Sequence, residues 1–397
     1  MDLSNITETL WNEQRQEIVE LFTKEEYGRI PKGWGSTWQL RVSRNGETFE
    51  QRTYEICVQY KGKEVKFPFS LWLPKKAEGP VPVTIMVSNH SREEKKSAAG
   101  ASPEVIEKML PIIRKLLGSQ EKFEAMCEDQ FSEKKANENH SIDIEKDMGQ
   151  GYWPVEKLLE RGWGAAAFYT EDIAPDAADA WNKRGLSTLF ENEDASPDDY
   201  GCLSLWAFAA SRVLDVLLEI PEIDGKRISV AGHSRGGKTA LWAAVQDERF
   251  ETAFVNCSGC CGAALNKGKY GENVNSIILT LGYWFCENFK KYTDMPVEEM
   301  PFDQHLLIAA MAPRPVYVAS GNIDYWTDPE AEFAGCKEAS PAWEALGFPG
   351  LKCDVYPEPD SVWHDGMVGY HLRRGGHALT ESDWMKFCDF EECWVNN

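Results

Sequence analysis

The chain has 397 residues, of which 43% are hydrophobic and 27% charged, which is typical of a large folded domain rather than a disordered chain. Its 42 basic and 64 acidic residues give a formal net charge of −22. Such a surface repels nucleic acid and anionic lipid, so we expect neither as a partner. We therefore predict a single domain over residues 1–397, and the sequence makes no prediction of its oligomeric state.

No segment of the sequence is apolar for long enough to span a bilayer, and the first residues, MDLSNITETLWNEQRQEIVE, lack the basic and apolar regions of a secretory signal. The eleven cysteines are odd in number and scattered, and Cys57 and Cys353 lie inside apolar runs. This distribution is typical of reduced thiols rather than of a disulfide framework. The sequence predicts a cytoplasmic protein, or a secreted one if a leader has been removed.

Periodic patterns predict the first elements along the chain. Residues 7–22 are expected to form a short amphipathic helix. Tyr54–Tyr60 and Val65–Leu73 alternate apolar and polar residues, as an antiparallel strand pair does. Continuous apolar runs further along predict buried strands at Pro82–Ser88, Ala165–Tyr169, Arg227–Ala231, Thr252–Val255 and Pro315–Ala319. Helical patterns are clearest at Val155–Arg161, Leu203–Leu218 and Lys238–Val245.

The alternation of strands and helices predicts an α/β fold, with a mixed, mostly parallel sheet flanked by helices and the leading antiparallel pair at its edge. Residues 91–150 interrupt the pattern because they are rich in Glu and Lys, with one helical piece near Val105–Leu117. Their low apolar content predicts an exposed insertion or lid within the domain rather than a second core.

The segment Arg227–Ala244, RISVAGHSRGGKTALWAA, joins a β-branched strand to an Ala-rich helix through the pentapeptide GHSRG. This is the G-x-S-x-G nucleophile elbow of α/β-hydrolases in its required strand–turn–helix context. The glycines leave room for strand and helix to pass closely, and the strained turn exposes the serine hydroxyl. Free N–H groups at the start of the helix can stabilise an oxyanion. We therefore predict Ser234 as the nucleophile and the backbone N–H of Arg235 as an oxyanion donor.

In α/β-hydrolases the acid and then the histidine follow the serine along the chain. The strand Pro315–Ala319 is followed by Gly-Asn-Ile-Asp, which makes Asp324 the predicted triad acid, with Asp328 as the alternative. Asp328 precedes a proline and is otherwise typical of a turn-capping carboxylate. His377 lies between a strand-like run and a helical pattern, where the fold places its general base, and His364 is the competing histidine.

Three further histidines are expected to have supporting roles. His371 lies inside a strand and is predicted to be packed. His233, next to the predicted nucleophile, is expected to shape the turn. His90 follows an early strand and either borders the oxyanion side of the site or caps a loop.

The sequence carries no complete metal or cofactor motif. Cys257, Cys260 and Cys261 form a C-x-x-C-C pattern without a second paired cluster, so four convergent zinc ligands are not expected. No phosphate-binding loop or dinucleotide fingerprint occurs, because the only suitable glycine turn holds the serine. We therefore predict that the protein uses neither a metal nor a cofactor.

With Arg235 and Lys238 the turn reads GHSRGGK, which resembles the G-x-S-R-x-G-K signature of glucuronoyl esterases, carbohydrate esterase family fifteen. The likeness, closest to the bacterial branch, covers most of residues 150–390, through TALWAAVQDERF, NCSGCCGAAL, GYWFCENFKKY, DQHLLIAAMAPRPVYVAS and GYHLRRGGHALTESDW. The resemblance implies an α/β-hydrolase fold. It also implies cleavage of esters between a glucuronic acid carboxyl group on xylan and an alcohol of lignin.

The same resemblance implies roles for individual residues. Arg235 would stabilise the oxyanion through its guanidinium as well as its backbone, and Lys238 would hydrogen-bond hydroxyls of the uronic sugar. Trp326 would lie against the sugar ring, while Trp284 either lines the pocket or belongs to the core. Asp176 matches a family segment to which we assign a structural role.

One position departs from the family pattern. Many members carry a glutamate that orients the catalytic histidine, in an E-S-G motif after the strand that follows the nucleophile, whereas this chain has Cys257 in Asn-Cys-Ser-Gly. A thiol is a poor substitute for a carboxylate beside an imidazolium. Three alternatives remain: a uronic acid esterase with its acid elsewhere, a sugar acetyl esterase with the same machinery, or a carbohydrate-binding pseudoenzyme. We predict the first, with a small carbohydrate ester as the substrate.

Overall fold

The computed structural model describes residue 3 and residues 6–90, 103–130, 151–190 and 195–395. Within these residues ten strands form one mixed sheet in the order β1-β2-β3-β5-β4-β6-β7-β8-β10-β9. The strands are β1 (Gly35–Asn45), β2 (Phe49–Tyr60), β3 (Lys63–Pro74), β4 (Val81–Ser88), β5 (Gly164–Tyr169), β6 (Ile223–His233), β7 (Ala253–Asn256), β8 (Val316–Gly321), β9 (Ser361–Trp363) and β10 (Val368–Arg373).

Helices connect and flank these strands. The α-helices of the described residues are Glu8–Phe22, Pro103–Leu117, Gln120–Gln130, Val155–Glu160, Thr170–Ile173, Leu186–Phe190, Cys202–Leu217, Arg235–Gln246, Val274–Leu281, Gln304–Ala309, Pro329–Ala339, Pro341–Ala345 and Glu381–Val395. Shorter turns are the π-helical Thr23–Tyr27 and the 3₁₀-helical Gly282–Trp284, Glu287–Tyr292 and Val297–Glu299. The predicted helices at the start of the chain and around the serine turn are confirmed.

The sheet is antiparallel at its edges and parallel in its centre. β1, β2 and β3 are antiparallel to one another, and β3 joins the rest of the sheet by antiparallel pairing with β5. β5, β4, β6, β7, β8 and β10 are parallel, and β9 closes the far edge antiparallel to β10. The predicted mixed, mostly parallel sheet is confirmed. Parallel neighbours need long crossover connections, which explains why helices cover both faces.

The two faces of β4 show how the core is divided. Every residue of β4 is buried. Val83, Ile85 and Val87 belong to the larger hydrophobic cluster, whereas Met86 belongs to a second cluster together with Trp384. Consecutive side chains of a strand point to opposite faces, so the two clusters lie on opposite sides of the sheet. Burial on both sides explains why this strand is a continuous apolar run in the sequence.

The edge strand β1 is absent from the sequence prediction. All of its residues are exposed, so no buried face imposes an alternating pattern that could reveal it. It is held by its ladder with β2 and by contacts such as the edge-to-face packing of Trp38 on Tyr54, whose ring centroids are 5.6 Å apart. Its strand character therefore comes from its partner rather than from its own periodicity.

The predicted insertion, residues 91–150, is described only over residues 103–130, and the rest lies outside the described residues. The helical piece expected near Val105–Leu117 is confirmed. The N–H of Gly271 donates a hydrogen bond of 3.2 Å to the carbonyl of Leu116, which ties the insertion to the main domain. A lid role for the insertion stays a prediction. None of the helices that the structure describes is both long and apolar enough to cross a bilayer.

The parallel strands bring the predicted site residues to one edge of the sheet. Ser234 follows β6, Cys257 follows β7, Asp324 lies shortly after β8 and His377 lies shortly after β10. Because the carboxyl ends of parallel strands share an edge, the loops after them meet in one place. The fold therefore assembles at this edge four residues that are far apart in the sequence.

Candidate active site

Ser234 occupies a strained turn between β6 and the helix Arg235–Gln246. Its φ of 57° and ψ of −121° lie in a region that residues other than glycine rarely adopt. A Cβ atom at Gly232 would lie 2.1 Å from the carbonyl oxygen of Gly236, so strand and helix pass too closely for any side chain there. The N–H of Ser234 donates to the carbonyl of Asn256 at 2.9 Å. The turn is therefore built as the glycine pattern of the sequence predicts, and Ser234 is partly exposed.

His377 and Asp324 form a hydrogen-bonded pair. Nδ1 of His377 lies 2.7 Å from Oδ2 of Asp324, and the His377 side chain is 25% exposed whereas the Asp324 side chain is fully buried. Burial would raise the pKa of Asp324, but the adjacent His377 and the hydrogen bond from it lower that pKa to about 2. Asp324 is therefore an ionised carboxylate that accepts a hydrogen bond from the Nδ1–H of His377.

The His377 ring lies beside the serine turn. Its centroid is 4.4 Å from that of His233, the residue immediately before Ser234. His233 is held by a hydrogen bond of 2.6 Å between its Nδ1 and Oδ1 of Asn256. Burial, and then the nearby His377, lower the pKa of His233 well below its usual value, so His233 remains neutral. His233 thus shapes the turn and packs against the histidine of the pair.

The competing histidine belongs to a separate network. Nε2 of His364 lies 3.0 Å from the hydroxyl of Tyr317, and Nδ1 of His371 lies 2.8 Å from the same hydroxyl. His371 is fully buried and also pairs with Asp383, whose Oδ1 is 2.6 Å from its Nε2. The predicted packing of His371 is confirmed, and Asp324 is paired with His377 rather than with His364.

The alternative acid, Asp328, is engaged with the backbone. It precedes the helix Pro329–Ala339, and its Oδ1 accepts the N–H of Ala331 at 3.0 Å. Its Oδ2 accepts the N–H of Tyr270 at 2.9 Å. Asp328 therefore caps the helix and fastens a neighbouring loop, as the turn-capping interpretation expects.

Cys257 lies next to the Asp324–His377 pair. Its sulfur, a carboxylate oxygen of Asp324 and a ring nitrogen of His377 all lie within 4.8 Å of one another. Burial, and then the charge of Asp324, raise the pKa of the thiol well above its usual value, so the thiol is neutral. Thiolate, imidazole and carboxylate are donors that suit zinc, but bonds of about 2.0–2.3 Å would require the 2.7 Å hydrogen bond between Asp324 and His377 to open. The arrangement fits an acid–histidine pair better than a metal centre.

Arg235 is oriented by Asp176. The Arg235 guanidinium forms an ion pair with Oδ2 of Asp176, while Oδ1 of Asp176 accepts the Tyr283 hydroxyl at 2.7 Å and the Trp284 indole N–H at 2.8 Å. Nε of Arg235 is buried and has no hydrogen-bond partner among the described residues. Asp176 therefore orients the guanidinium, and the Nε donor of Arg235 is not engaged by it.

Lys238 lies one turn further along the same helix and is only 3% exposed. Its ammonium donates to the carbonyl of Ser258 and lies 3.7 Å from Oε2 of Glu272. The N–H of Glu272 in turn donates to the carbonyl of Trp326 at 2.9 Å, and Trp326 is half-buried. The predicted residues Lys238 and Trp326 are thus connected through Glu272, which the sequence analysis does not identify.

Trp284 is a core residue that also lies next to both cations of the predicted site. It is 3% exposed and belongs to the larger hydrophobic cluster, so it is a core residue. Its ring also lies 5.0 Å from the guanidinium carbon of Arg235 and 5.9 Å from Nζ of Lys238. The Trp284 ring therefore makes cation–π contacts with both Arg235 and Lys238.

A second group of residues borders the start of the helix. Oδ1 of Asn89 accepts the Tyr152 hydroxyl at 3.0 Å, and the Tyr152 ring lies 4.2 Å from that of His90. A Cβ atom at Gly236 would lie 3.8 Å from Oδ1 of Asn89, which places this group next to the first helical turn. His90 therefore borders the site. Tyr152 is missing from the sequence prediction because it follows the insertion and lies in no periodic element.

The chain order of serine, aspartate and histidine, carried on the loops after β6, β8 and β10, is that of the α/β-hydrolase class, and the chain has this fold. Comparisons with known proteins agree. A family model described as glucuronyl esterase of fungi matches residues 144–347. The carbohydrate esterase MZ0003, from an unknown prokaryotic organism, is 32% identical over 391 residues, which cover 96% of this chain and 84% of that protein.

Two further relatives carry the name of the activity. The glucuronoyl esterase from Solibacter usitatus superposes with a TM-score of 0.80 at 29% identity, covering 98% of this chain and 94% of that one. The 4-O-methyl-glucuronoyl methylesterase of Hypocrea jecorina is 35% identical over 156 residues, which are 37% of this chain and 34% of that protein. The chain belongs to the glucuronoyl esterase family, carbohydrate esterase family 15, and is a carboxylic ester hydrolase.

Proposed function

We propose that this protein hydrolyses glucuronoyl esters, including 4-O-methyl-glucuronoyl esters, through an acyl-enzyme formed on Ser234. The observation that carries the proposal is the 2.7 Å hydrogen bond between His377 and Asp324, with the His377 ring packed beside the residue that precedes Ser234. The names of the relatives from Solibacter usitatus and Hypocrea jecorina support the acyl group.

Ser234 is the nucleophile in this proposal, and His377 is the general base. Because the Nδ1–H of His377 donates a hydrogen bond to Asp324, Nε2 is the basic nitrogen that accepts the proton of Ser234. The Ser234 oxygen bonds to the ester carbon as its proton moves to Nε2, and the carbonyl oxygen becomes an oxyanion. The carboxylate of Asp324 stabilises the imidazolium that forms.

Arg235 supplies the oxyanion donors. Its backbone N–H lies at the start of the helix, where the N–H groups and the helix dipole favour negative charge. Its Nε is a buried donor without a hydrogen-bond partner among the described residues, so no existing bond has to break before it binds an oxyanion. The ion pair with Asp176 holds the guanidinium in place during the reaction.

The tetrahedral intermediate collapses when its bond to the alcohol oxygen breaks. The alcohol leaves with the proton held by His377, and the uronoyl group remains bound to Ser234 as an ester. A water molecule then attacks this ester while His377 accepts one of its protons. The second collapse returns that proton to Ser234 and releases the uronic acid.

Lys238, Glu272 and Trp326 are the proposed contacts to the uronic sugar. Lys238 and Arg235 lie on the same helix against the same Trp284 ring, so sugar hydroxyls bound by Lys238 are adjacent to the oxyanion donors. In this proposal the sugar lies on the acyl side of the scissile bond, where a glucuronoyl ester carries it. In a sugar acetate the sugar lies on the alcohol side instead, so the geometry favours the uronic acid ester.

Cys257 does not require the protein to be a pseudoenzyme. The thiol is neutral and lies beside the pair, while Asp324 provides a carboxylate that this chain lacks at position 257, where many family members have a glutamate. The site therefore contains both the acid and the base that the proposed mechanism needs, Asp324 and His377. Carbohydrate binding without catalysis is one of the outcomes that the test below distinguishes.

The test compares hydrolysis of a methyl ester of glucuronic acid with hydrolysis of an acetylated sugar, together with fluorophosphonate labelling of the purified protein. We expect labelling at Ser234 and preferential hydrolysis of the glucuronate ester, both abolished by Ser234→Ala. Equal or faster hydrolysis of the acetate would contradict the glucuronoyl assignment. Binding of glucuronate without labelling or turnover would identify the pseudoenzyme.

We also propose that the protein is cytoplasmic. The support is that all eleven cysteines are free thiols and nine of them are buried, which is typical of a reducing compartment. Fractionation of the source cells with an antibody against the protein tests this. Recovery of the protein outside the cell or in the periplasm would contradict it.

A further inference from the structure

The loop that carries His377 needs support from outside its own backbone. It joins β10 to the helix Glu381–Val395 and contains no regular secondary structure. Gly375 and Gly376 precede His377, and Gly375 has a φ of +114°, which side chains other than hydrogen rarely permit. Two consecutive glycines give the loop wide conformational freedom, so the position of the His377 ring depends on contacts made to the loop.

Arg373, the last residue of β10, makes several of those contacts. Its Nη2 donates to the carbonyl of Gly376 at 2.7 Å and to the carbonyl of Ala378 at 3.1 Å, the two residues that flank His377. Its Nη1 donates to the carbonyl of Arg374 at 3.0 Å. The Arg373 side chain is only 11% exposed. The Arg373 guanidinium thus hydrogen-bonds the carbonyls on both sides of the proposed general base.

Asp383 holds that guanidinium and the far end of the loop. Its fully buried Oδ2 lies 3.2 Å from Nε of Arg373 and accepts hydrogen bonds of 2.7 Å from the N–H and the hydroxyl of Thr380. Its Oδ1 pairs with His371 of β10 at 2.6 Å. Burial raises the pKa of Asp383, but His371, Arg373 and Thr380 together lower it to about 2, so the carboxylate is charged.

The same loop is fastened to the segment that carries the acid. Oδ1 of Asn322 accepts the N–H of Gly375 at 2.8 Å, and the N–H of Asn322 donates to the carbonyl of Arg373 at 2.9 Å. A Cβ atom at Gly321 would lie 2.4 Å from the carbonyl oxygen of Gly376, so the two segments touch closely. A shift of the histidine loop would therefore change the distance between His377 and Asp324.

We propose that Arg373 is a positioning residue for the general base, holding the backbone on both sides of His377 so that its ring remains against Asp324 and turned toward Ser234. The inference rests on the function proposed above, because it assigns a task within that mechanism. A guanidinium is suited to the task because its planar set of N–H donors reaches several carbonyls at fixed angles, whereas a lysine ammonium presents a single point.

The test uses the full chain with Arg373→Met, Arg373→Lys and, as a matched control, Arg374→Met. Arg374 is the neighbouring arginine, but its guanidinium faces solvent, with 70% of its side chain exposed and an ion pair to Asp360. We expect Arg373→Met to lower kcat on the order of 10²-fold, the loss that a displacement of about 1 Å can cause. We expect KM to stay within about twofold, since Arg373 contacts no proposed sugar-binding residue. Arg373→Lys should fall between Arg373→Met and the wild type, and Arg374→Met should match the wild type.

A second readout separates positioning from stability. The low-field proton resonance of the His377 Nδ1–H reports its hydrogen bond to Asp324, and we expect it to shift or broaden in the folded Arg373→Lys protein while circular dichroism stays unchanged. If Arg373→Met does not fold, Arg373→Lys decides the question. A folded Arg373 variant with wild-type kcat and an unchanged resonance overturns the inference. Failure of the proposed function itself is a different result, because the wild type would then show neither turnover nor labelling of Ser234.

Discussion

Asp324 and Cys257 both lie beside His377: Oδ2 of Asp324 is 2.7 Å from Nδ1 of His377, and the neutral Cys257 thiol lies within 4.8 Å of both groups. Cys257 follows β7, where the family resemblance places a glutamate, whereas Asp324 follows β8. Adjacent parallel strands end side by side, so either can deliver a carboxylate to the same imidazole nitrogen. In the proposed mechanism the acid therefore lies after β8 rather than after β7.

Replacing the carboxylate of Asp324 tests its assignment as the triad acid. We expect Asp324→Asn to lower kcat on the order of 10⁴-fold, because the amide favours the wrong histidine tautomer and cannot stabilise the imidazolium. Steady-state hydrolysis of a glucuronate methyl ester measures the change. A rate near that of the wild type would remove Asp324 from the mechanism.

Asp328→Asn is the matched control for that variant, since Asp328 is the neighbouring buried aspartate. Its oxygens accept backbone N–H groups of Ala331 and Tyr270. Asparagine keeps one side-chain oxygen but loses the second acceptor, so the variant should lose about 0.5–1.5 kcal/mol of unfolding free energy, the usual net value of one hydrogen bond, and keep kcat within a few-fold of the wild type. Chemical denaturation and the same esterase assay give the two values. A large fall in kcat with unchanged stability would transfer the acid role to Asp328.

Removal of the proposed oxyanion donor should affect kcat more than KM. We expect Arg235→Met, which retains the backbone N–H, to lower kcat on the order of 10²–10³-fold, the usual effect of losing one such donor. Asp176→Asn should cause a smaller loss, because the guanidinium keeps its donors but loses its charged partner. Tyr283→Phe removes one hydrogen bond to Asp176 and serves as the control. Equal kcat in Arg235→Met and the wild type would exclude the side chain from oxyanion stabilisation.

Substitutions of Trp326 test whether its ring packs against the sugar of the substrate. Trp326→Ala should raise KM for the glucuronate ester about tenfold, the equivalent of about 1.4 kcal/mol of binding, with a smaller change in kcat. Trp326→Phe keeps an aromatic face and should recover most of the affinity. The two variants are compared with wild type over a range of ester concentrations. An unchanged KM in both would place the sugar away from this residue.

Much of the fold follows from local patterns, and the site follows from chain order. Continuous apolar runs identify the central strands because both faces of the sheet are covered, and the serine elbow has a backbone requirement that glycine spacing reveals. β1 could not be predicted from the sequence, because its strand conformation depends on pairing with β2 and not on an alternating pattern of its own. Glu272 and Tyr152 are missing from the sequence prediction for another reason, because each lies in a loop. Only folding brings Glu272 beside Lys238 and Tyr152 beside Asn89.

Glu26 introduces a pH dependence of stability away from the reacting atoms. Its carboxyl group is fully buried and accepts hydrogen bonds of 2.9 and 3.3 Å from the Gln304 amide. Burial is the main cause that raises its pKa to about 8, despite these hydrogen bonds. The unfolded chain has a pKa near the ordinary value of 4.5, so the folded protein binds the proton more tightly.

The sign of the effect follows from proton binding. Between about pH 4.5 and about pH 8 the folded state holds a proton on Glu26 that the unfolded state has released, so the free energy of unfolding falls as pH rises, by at most about 1.4 kcal/mol per unit from this group. Glu26→Gln keeps an amide partner for Gln304 and cannot titrate. We expect its Tm to fall less than that of the wild type between about pH 5 and about pH 8, whereas Glu17→Gln, at an exposed position on the preceding helix, should follow the wild type. Thermal unfolding of the three proteins across this range measures the difference, and parallel curves for Glu26→Gln and wild type would show that Glu26 is ionised in the folded protein.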